Sequence, residues 1–161
     1  MDEATYERFD SSAGFHAAVE RLLAQPGREL RIFDPDGSAL RLNDSARIES
    51  LERFLNASRT RRIYMALHDA EHLKRHCPRM LGLLARFSHA VQIHRTHDHI
   101  RELQDAFLVL DSQHYVRRPV ANFYRGATGL GDEVEGLAMR QRFMEIWEAS
   151  FPGVSSTTAG L

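Results

Sequence analysis

The sequence predicts a single α/β domain in which a mixed β-sheet is flanked by helices. Three observations lead there. Helix-spaced apolar residues alternate three times with short apolar runs, at 30–33, 63–67 and 90–94, and such alternation implies right-handed crossovers and a largely parallel sheet. After His94 the pattern changes: the run 106–110 turns through Ser112-Gln113 into 115–118, as an antiparallel hairpin would. Finally, 161 residues with 43% hydrophobic and 27% charged composition suit one domain with one sizeable core.

Each element has a local cause. Ser11 or Ser12 can cap a first helix carrying Phe15, Val19, Leu22 and Leu23 at helical spacing. Pro26-Gly27 stops it. The strand 30–33 closes in Asp34-Pro35-Asp36-Gly37, which has turn chemistry. Asp44 or Ser45 caps a second helix with Ile48, Leu51, Phe54 and Leu55 inward. After strand 63–67, Asp69 can cap a helical region from 70 to about 87, with Leu73, Met80, Leu84 and Phe87 on one face. Pro78 should split it, as the first residue of a second piece. A polar loop, 95–102, precedes the hairpin. A further strand is expected around Phe123-Tyr124, followed by a glycine-rich loop at 126–131. The last helix starts near Asp132 and carries Met139, Phe143, Ile146 and Trp147. The domain reading is an N-terminal helical segment (1–27) packing on an α/β domain (28–150), with a disordered tail at 151–161.

Composition narrows the function classes. The 21 Lys+Arg nearly balance 22 Asp+Glu, so no global field favours nucleic acid or an acidic membrane. Lys74 is the only lysine, and the other basic residues are arginines spread along the chain, a usage typical of GC-rich bacterial genomes. The single cysteine, Cys77, excludes an internal disulfide and fits a reducing cytosol. The acidic start MDEATYERFD is unlike a signal peptide, and no apolar run has membrane-spanning length. These features point to a soluble, cytoplasmic bacterial protein.

Candidate chemistry gathers in three places. His68-Asp69-Ala70-Glu71-His72 matches the H-x-x-E-H zinc pattern, but His68 directly follows a strand, so the two histidines would not share a helical face. His94-Arg95-Thr96-His97-Asp98-His99 concentrates imidazole and carboxylate, which suit zinc, iron or nickel; no second spaced ligand cluster completes a site. Ligands of open α/β sheets bind outside the carboxyl ends of parallel strands. Those ends are Asp34, His68-Asp69 and His94. If the three strands are adjacent, Asp34, His68 and His94 converge on one edge, although each residue also has a turn, cap or packing role to play. Arg117 and Arg118 are candidate phosphate-binding residues, with solvent-facing strand arginines as the alternative. No nucleophile motif is present, and the glycines at 126, 129 and 131 lack dinucleotide-fingerprint spacing.

The segment LQDAFLVLDSQHYVRR at 103–118, with the close RFMEIW at 142–147, resembles a single-motif phospholipase D-like domain over roughly residues 28–150. It is also similar to uncharacterised proteobacterial domains found alone or beside GNAT acetyltransferases. The resemblance implies an α/β sandwich whose members pair into homodimers with facing half-sites. It also implies an H-x-K-x4-D motif, of which only Asp111 carries over. Gln104 and Ala106 stand at the His and Lys positions, and the small-residue motif expected after the second strand is not recognisable in RPVAN at 118–122. Without the histidine nucleophile, phosphodiesterase chemistry should be lost.

The functional expectation is therefore a non-catalytic, phospholipase D-like binding or interaction domain that needs no cofactor. It would act as a homodimer or as partner to an enzyme such as an acetyltransferase, with neither membrane nor nucleic acid indicated. Its candidate ligand pocket comprises Asp34, His68, Asp69, His94, His97, His99, Asp105 and Asp111. The alternatives are a phosphodiesterase or nuclease using the histidine-rich loop 94–99, and a metal-binding protein.

Overall fold

The computed structural model describes residues 3–155. Its strands are β1 (Thr5–Phe9), β2 (Glu29–Asp34), β3 (Arg62–Leu67), β4 (Val91–Thr96), β5 (Ala106–Leu110), β6 (His114–Arg118), β7 (Gly126–Leu130) and β8 (Ser150–Val154). They form one mixed sheet in the order β1-β7-β6-β5-β2-β3-β4-β8. The helices are α1 (Ser12–Leu23), α2 (Ser45–Asn56), α3 (Glu71–His76), α4 (Pro78–Arg86) and α5 (Glu133–Glu148). Strands β2, β3 and β4 run parallel, while β5 joins β2 antiparallel and continues as the hairpin β5–β6. The predicted α/β fold with a mixed, helix-flanked sheet is the one observed.

Strand alternation sorts the side chains into two layers. On one face Leu30, Ile32, Ile63, Met65, Leu108, Leu110 and Val116 pack against α1 to α4. On the other, Phe33, Ala66, Phe107, Val109 and Tyr115 meet Met139, Phe143 and Ile146 of α5. Helix α1 belongs to the main core, since Phe15, Ala18, Val19 and Leu22 are essentially inaccessible. Ser11 caps it by accepting the Gly14 N–H. Pro78 divides α3 from α4 at the first position of the second helix, where its missing N–H costs nothing.

Three local expectations need correction. The N-terminal segment contains strand β1, which pairs with β7; its TYERF sequence is too polar and exposed to register as a strand. The glycine-rich stretch is not a loop but β7, while residues 123–124 lie in the preceding turn. Its glycines are needed by close packing: a Cβ at Gly129 would come within 2.5 Å of the Tyr115 ring, and one at Gly126 would strike the Arg117 carbonyl. The tail is ordered as far as Val154, because β8 pairs antiparallel with β4 at the sheet edge, a place that tolerates Pro152. Residues 156–161 lie outside the described residues.

Candidate functional site

The carboxyl ends of β2, β3 and β4, the start of β5 and the end of β6 meet at one edge of the sheet. Alternation then divides the candidate residues between the two faces. Asp34 follows Ile32 on the α1–α4 face. His68 stands edge-on to Phe33 at 5.2 Å on the α5 face, and His94 stacks on Trp147 of α5 at 3.5 Å. The convergence expected of Asp34, His68 and His94 is thus split by the sheet itself.

The centre of the α1–α4 side is an ion pair. Arg118 Nη2 donates to Asp34 Oδ1, and both side chains are 3% exposed. Arg118 Nη1 also donates to the Ala121 carbonyl at 2.6 Å, and the guanidinium lies 4.7 Å over the Phe15 ring. Asp34 Oδ2 accepts the Gly37 N–H at 2.7 Å, fixing the turn that the sequence predicts. Burial raises the Asp34 carboxyl pKa against the pull of Arg118 and the turn N–H groups. A cleft of about 240 Å³ opens over the pair, walled by Asp36, Ser38, Asn122, Phe123 and Tyr124.

Beside this cleft sits a group that sequence reasoning did not single out. His16 is 5% exposed, with its ring 5.8 Å from Tyr124. Arg47 Nη2 donates to His16 Nδ1 at 3.2 Å. A guanidinium only donates, so the proton of the neutral imidazole is on Nε2, which has no partner among the described residues. Burial, then the nearby Arg41, Arg47 and Arg118 charges, lower the His16 pKa from 6.5 to about 4. The signal for burial was present: His16 adjoins Phe15 and lies three residues before Val19 on the inward stripe of α1.

A pH dependence follows. Between pH 6.5 and about 4 the unfolded chain carries a proton on residue 16 that the folded chain lacks, so stability falls as pH falls through this window. Burial lowers His94 and His114 in the same sense. From neutral pH to pH 5, His16 alone should contribute a loss of about 2 kcal/mol. Urea denaturation of the wild type and His16→Gln at both pH values measures this. An equal loss in the two proteins would refute it.

The remaining candidates do structural work on the other face or other edge. His68 Nε2 donates to the Leu103 carbonyl at 2.8 Å and Nδ1 meets Thr96 Oγ1 at 2.6 Å, which pins the 97–105 loop. Asp69 accepts the Glu71 N–H at 2.8 Å. His97 and His99 are exposed, with His97 packed on Phe151 of β8 at 4.9 Å. Asp105 holds Arg142 of α5 through both carboxylate oxygens, at 2.6 and 3.2 Å. It borders a cleft of about 510 Å³ over Phe107 and Met139, which Arg117 also lines. Arg117 and Arg118 therefore serve opposite faces and do not form one phosphate grip. Asp111 lies at the far end of the sheet, where Oδ1 accepts the N–H groups of Arg28 and Glu29, both at 3.0 Å. Among the described residues, no three His, Cys, Asp or Glu side chains are grouped to hold a metal.

Residues 11–155 match the family model for a domain of unknown function, DUF7931. The chain belongs to this family. No curated protein matches the sequence. Solved structures resemble it in fold. Nuc of Salmonella typhimurium, a phospholipase D family member, superposes with a TM-score of 0.69 at 8% identity, over 95% of this chain and 100% of its own. NucT from Helicobacter pylori gives 0.60 at 10% identity, over 94% and 100%. The archaeal chromatin protein TrmBL2, described with a novel mode of DNA binding, gives 0.66 at 13% identity over 92% of this chain. The chain spans about half of TrmBL2, 54% of its length. The fold is thus phospholipase D-like, as the residue-level resemblance implies. Among the described residues, no helix is long and apolar enough to cross a membrane.

Proposed function

We propose that this domain is a non-catalytic member of the phospholipase D-like fold that works by binding, with the cleft over Asp34–Arg118 as its ligand edge. The observation that carries this reading is the surroundings of Ala106. Its register partner on β6 is Arg118, whose guanidinium is engaged by Asp34 and the Ala121 carbonyl. Where the family motif has a lysine free to meet phosphate, this chain has a methyl group beside a cation already neutralised. Gln104, at the histidine position, has an amide with no nucleophilic nitrogen. Both losses bear on the same step, because attack on phosphorus needs a nucleophile and a cation to hold the diester.

Position argues against rescue by His97 of the histidine-rich loop. His97 packs on β8, and three strand-to-strand steps separate β4 from β5. At about 4.8 Å per step that is roughly 14 Å, too far for direct attack on a diester held beside Ala106. Pairing into a homodimer fits the same edge, since Val120, Phe123 and Tyr124 are 46%, 61% and 37% exposed in the loop that walls the cleft.

Bis(4-nitrophenyl) phosphate offers a direct assay. The purified domain is expected to turn it over no faster than buffer. Hydrolysis that disappears in His97→Ala or His99→Ala would overturn the binding reading in favour of an altered phosphodiesterase. Light scattering across a range of concentrations reads the homodimer separately.

A further inference from the structure

The arginines are spread in sequence but not evenly in space. At the edge opposite the cleft, where α1 and α2 end and β2 and β3 begin, five of them gather: Arg28, Arg53, Arg59, Arg61 and Arg62. Arg28 and Arg62 stand at the heads of neighbouring strands, tied by the hydrogen bond from the Arg62 N–H to the Arg28 carbonyl at 2.9 Å. Arg53 is in the last turn of α2, and Arg59 and Arg61 are in the loop that links α2 to β3.

These five differ from most of the arginines elsewhere. Arg21, Arg31, Arg47, Arg75, Arg86, Arg95, Arg101, Arg118 and Arg142 each have a carboxylate partner. Among the described residues, none of the five at this edge is in an ion pair. Their known contacts orient them and leave the charge intact. Arg62 Nη1 donates to the Arg59 and Arg61 carbonyls, both at 2.8 Å. Arg61 lies 4.5 Å over the Phe54 ring, and Arg53 Nη2 donates to Ser50 Oγ at 3.0 Å. The acids nearby are already engaged: Glu20 by Arg47 and Ser50, Glu29 by Arg31, Glu52 by Arg86, and Asp111 by two backbone N–H groups.

We propose that this edge is a contact surface for the sugar-phosphate backbone of a nucleic acid, independent of the cleft on the opposite edge. Five guanidinium groups drawn from three chain segments suit a ligand whose anionic groups repeat. Arginine forks match phosphate oxygens, and backbone contacts of this kind bind with little sequence preference. A lipid surface also repeats its phosphates, but membrane docking draws on inserted apolar residues. The large exposed apolar side chains lie elsewhere: Val120, Phe123 and Tyr124 beside the cleft, Val134, Leu137 and Met144 on α5, Phe151 on β8, and Tyr6 on β1 at the far side of the sheet. The near-zero net charge conceals this patch, because its excess is balanced by acids elsewhere on the chain.

The test is fluorescence anisotropy of a labelled 20-nucleotide DNA or RNA, single-stranded and duplex, at low and rising salt. Wild-type protein is expected to bind, with an affinity that falls steeply as salt rises. The triple variant Arg59→Gln, Arg61→Gln, Arg62→Gln should bind at least about tenfold more weakly and lower the log–log salt slope by about 2–3. A charge-matched control, Arg8→Gln, Arg125→Gln, Arg140→Gln, should bind as wild type does. Circular dichroism establishes that both variants are folded. Absence of binding, equal weakening by the control set, or binding to phosphatidylglycerol vesicles with none to nucleic acid would each overturn the proposal.

Discussion

Replacing Arg118 with methionine should destabilise the domain by about 3–5 kcal/mol, because it strands the Asp34 carboxylate without its cation in the core. Asp34→Leu should cost more than the arginine change, since Asp34 also accepts the Gly37 and Asp36 N–H groups that hold the β2 turn. Gly37 sits there at φ +79, so the turn has few other ways to close. The double variant should recover much of the combined loss, as buried ion pairs replaced by apolar groups of similar size often do. Urea denaturation of the four proteins gives the coupling directly. Strictly additive losses would mean that the pair is two independent contacts, and the account of Ala106 would lose its basis.

Asp111→Ala should cost about 2–3 kcal/mol through two effects at one residue. The carboxylate that accepts the Arg28 and Glu29 N–H groups would be lost, and alanine would have to hold φ +54. Asp111→Asn should be much milder, since asparagine keeps an acceptor and tolerates the left-handed region. Thermal melts of the two variants distinguish this structural role from a ligand-binding one. Equal melting temperatures for wild type and Asp111→Ala would exclude it. The retained aspartate of the motif thus joins β5 to β2 at the end of the sheet away from the cleft.

These residues also show what the sequence could and could not disclose. Strands β2, β3 and β5 were legible because short apolar runs are bounded by turn residues, β4 because Val91 and Ile93 alternate with polar residues, and β6 because it follows β5 through a short turn. Strands β1 and β8 were not: one is polar and exposed, the other contains Pro152 and Gly153, and pairing at a sheet edge alone makes them strands. Strand β7 hid behind glycines that read as loop but serve tight packing against Tyr115. At the site, Asp34 was correctly placed at a strand end, yet its partner lies 84 residues away, a separation no local pattern encodes. The separation of Arg117 from Arg118 needed only the period of two along a strand. So did the separation of Asp34 from His68 and His94.

The strand order also bears on how the chain reaches its native state. Strand β5 sits beside β2 in the middle of the sheet, although it is made long after β2, β3 and β4. While residues up to about 100 are being synthesised, β2 therefore has an open edge built from Leu30, Ile32 and Phe33. Such an edge can recruit another chain. Arrival of β5 covers it, and the turn-end carboxylate of Asp111 ties β5 down to the chain entering β2. The last strands to form, β7 with β1 and β8 with β4, then close the two outer margins with residues drawn from opposite ends of the polypeptide. A ribosome-bound or truncated chain ending before residue 106 should be an aggregation-prone species, and the hairpin β5–β6 is the element that ends that exposure.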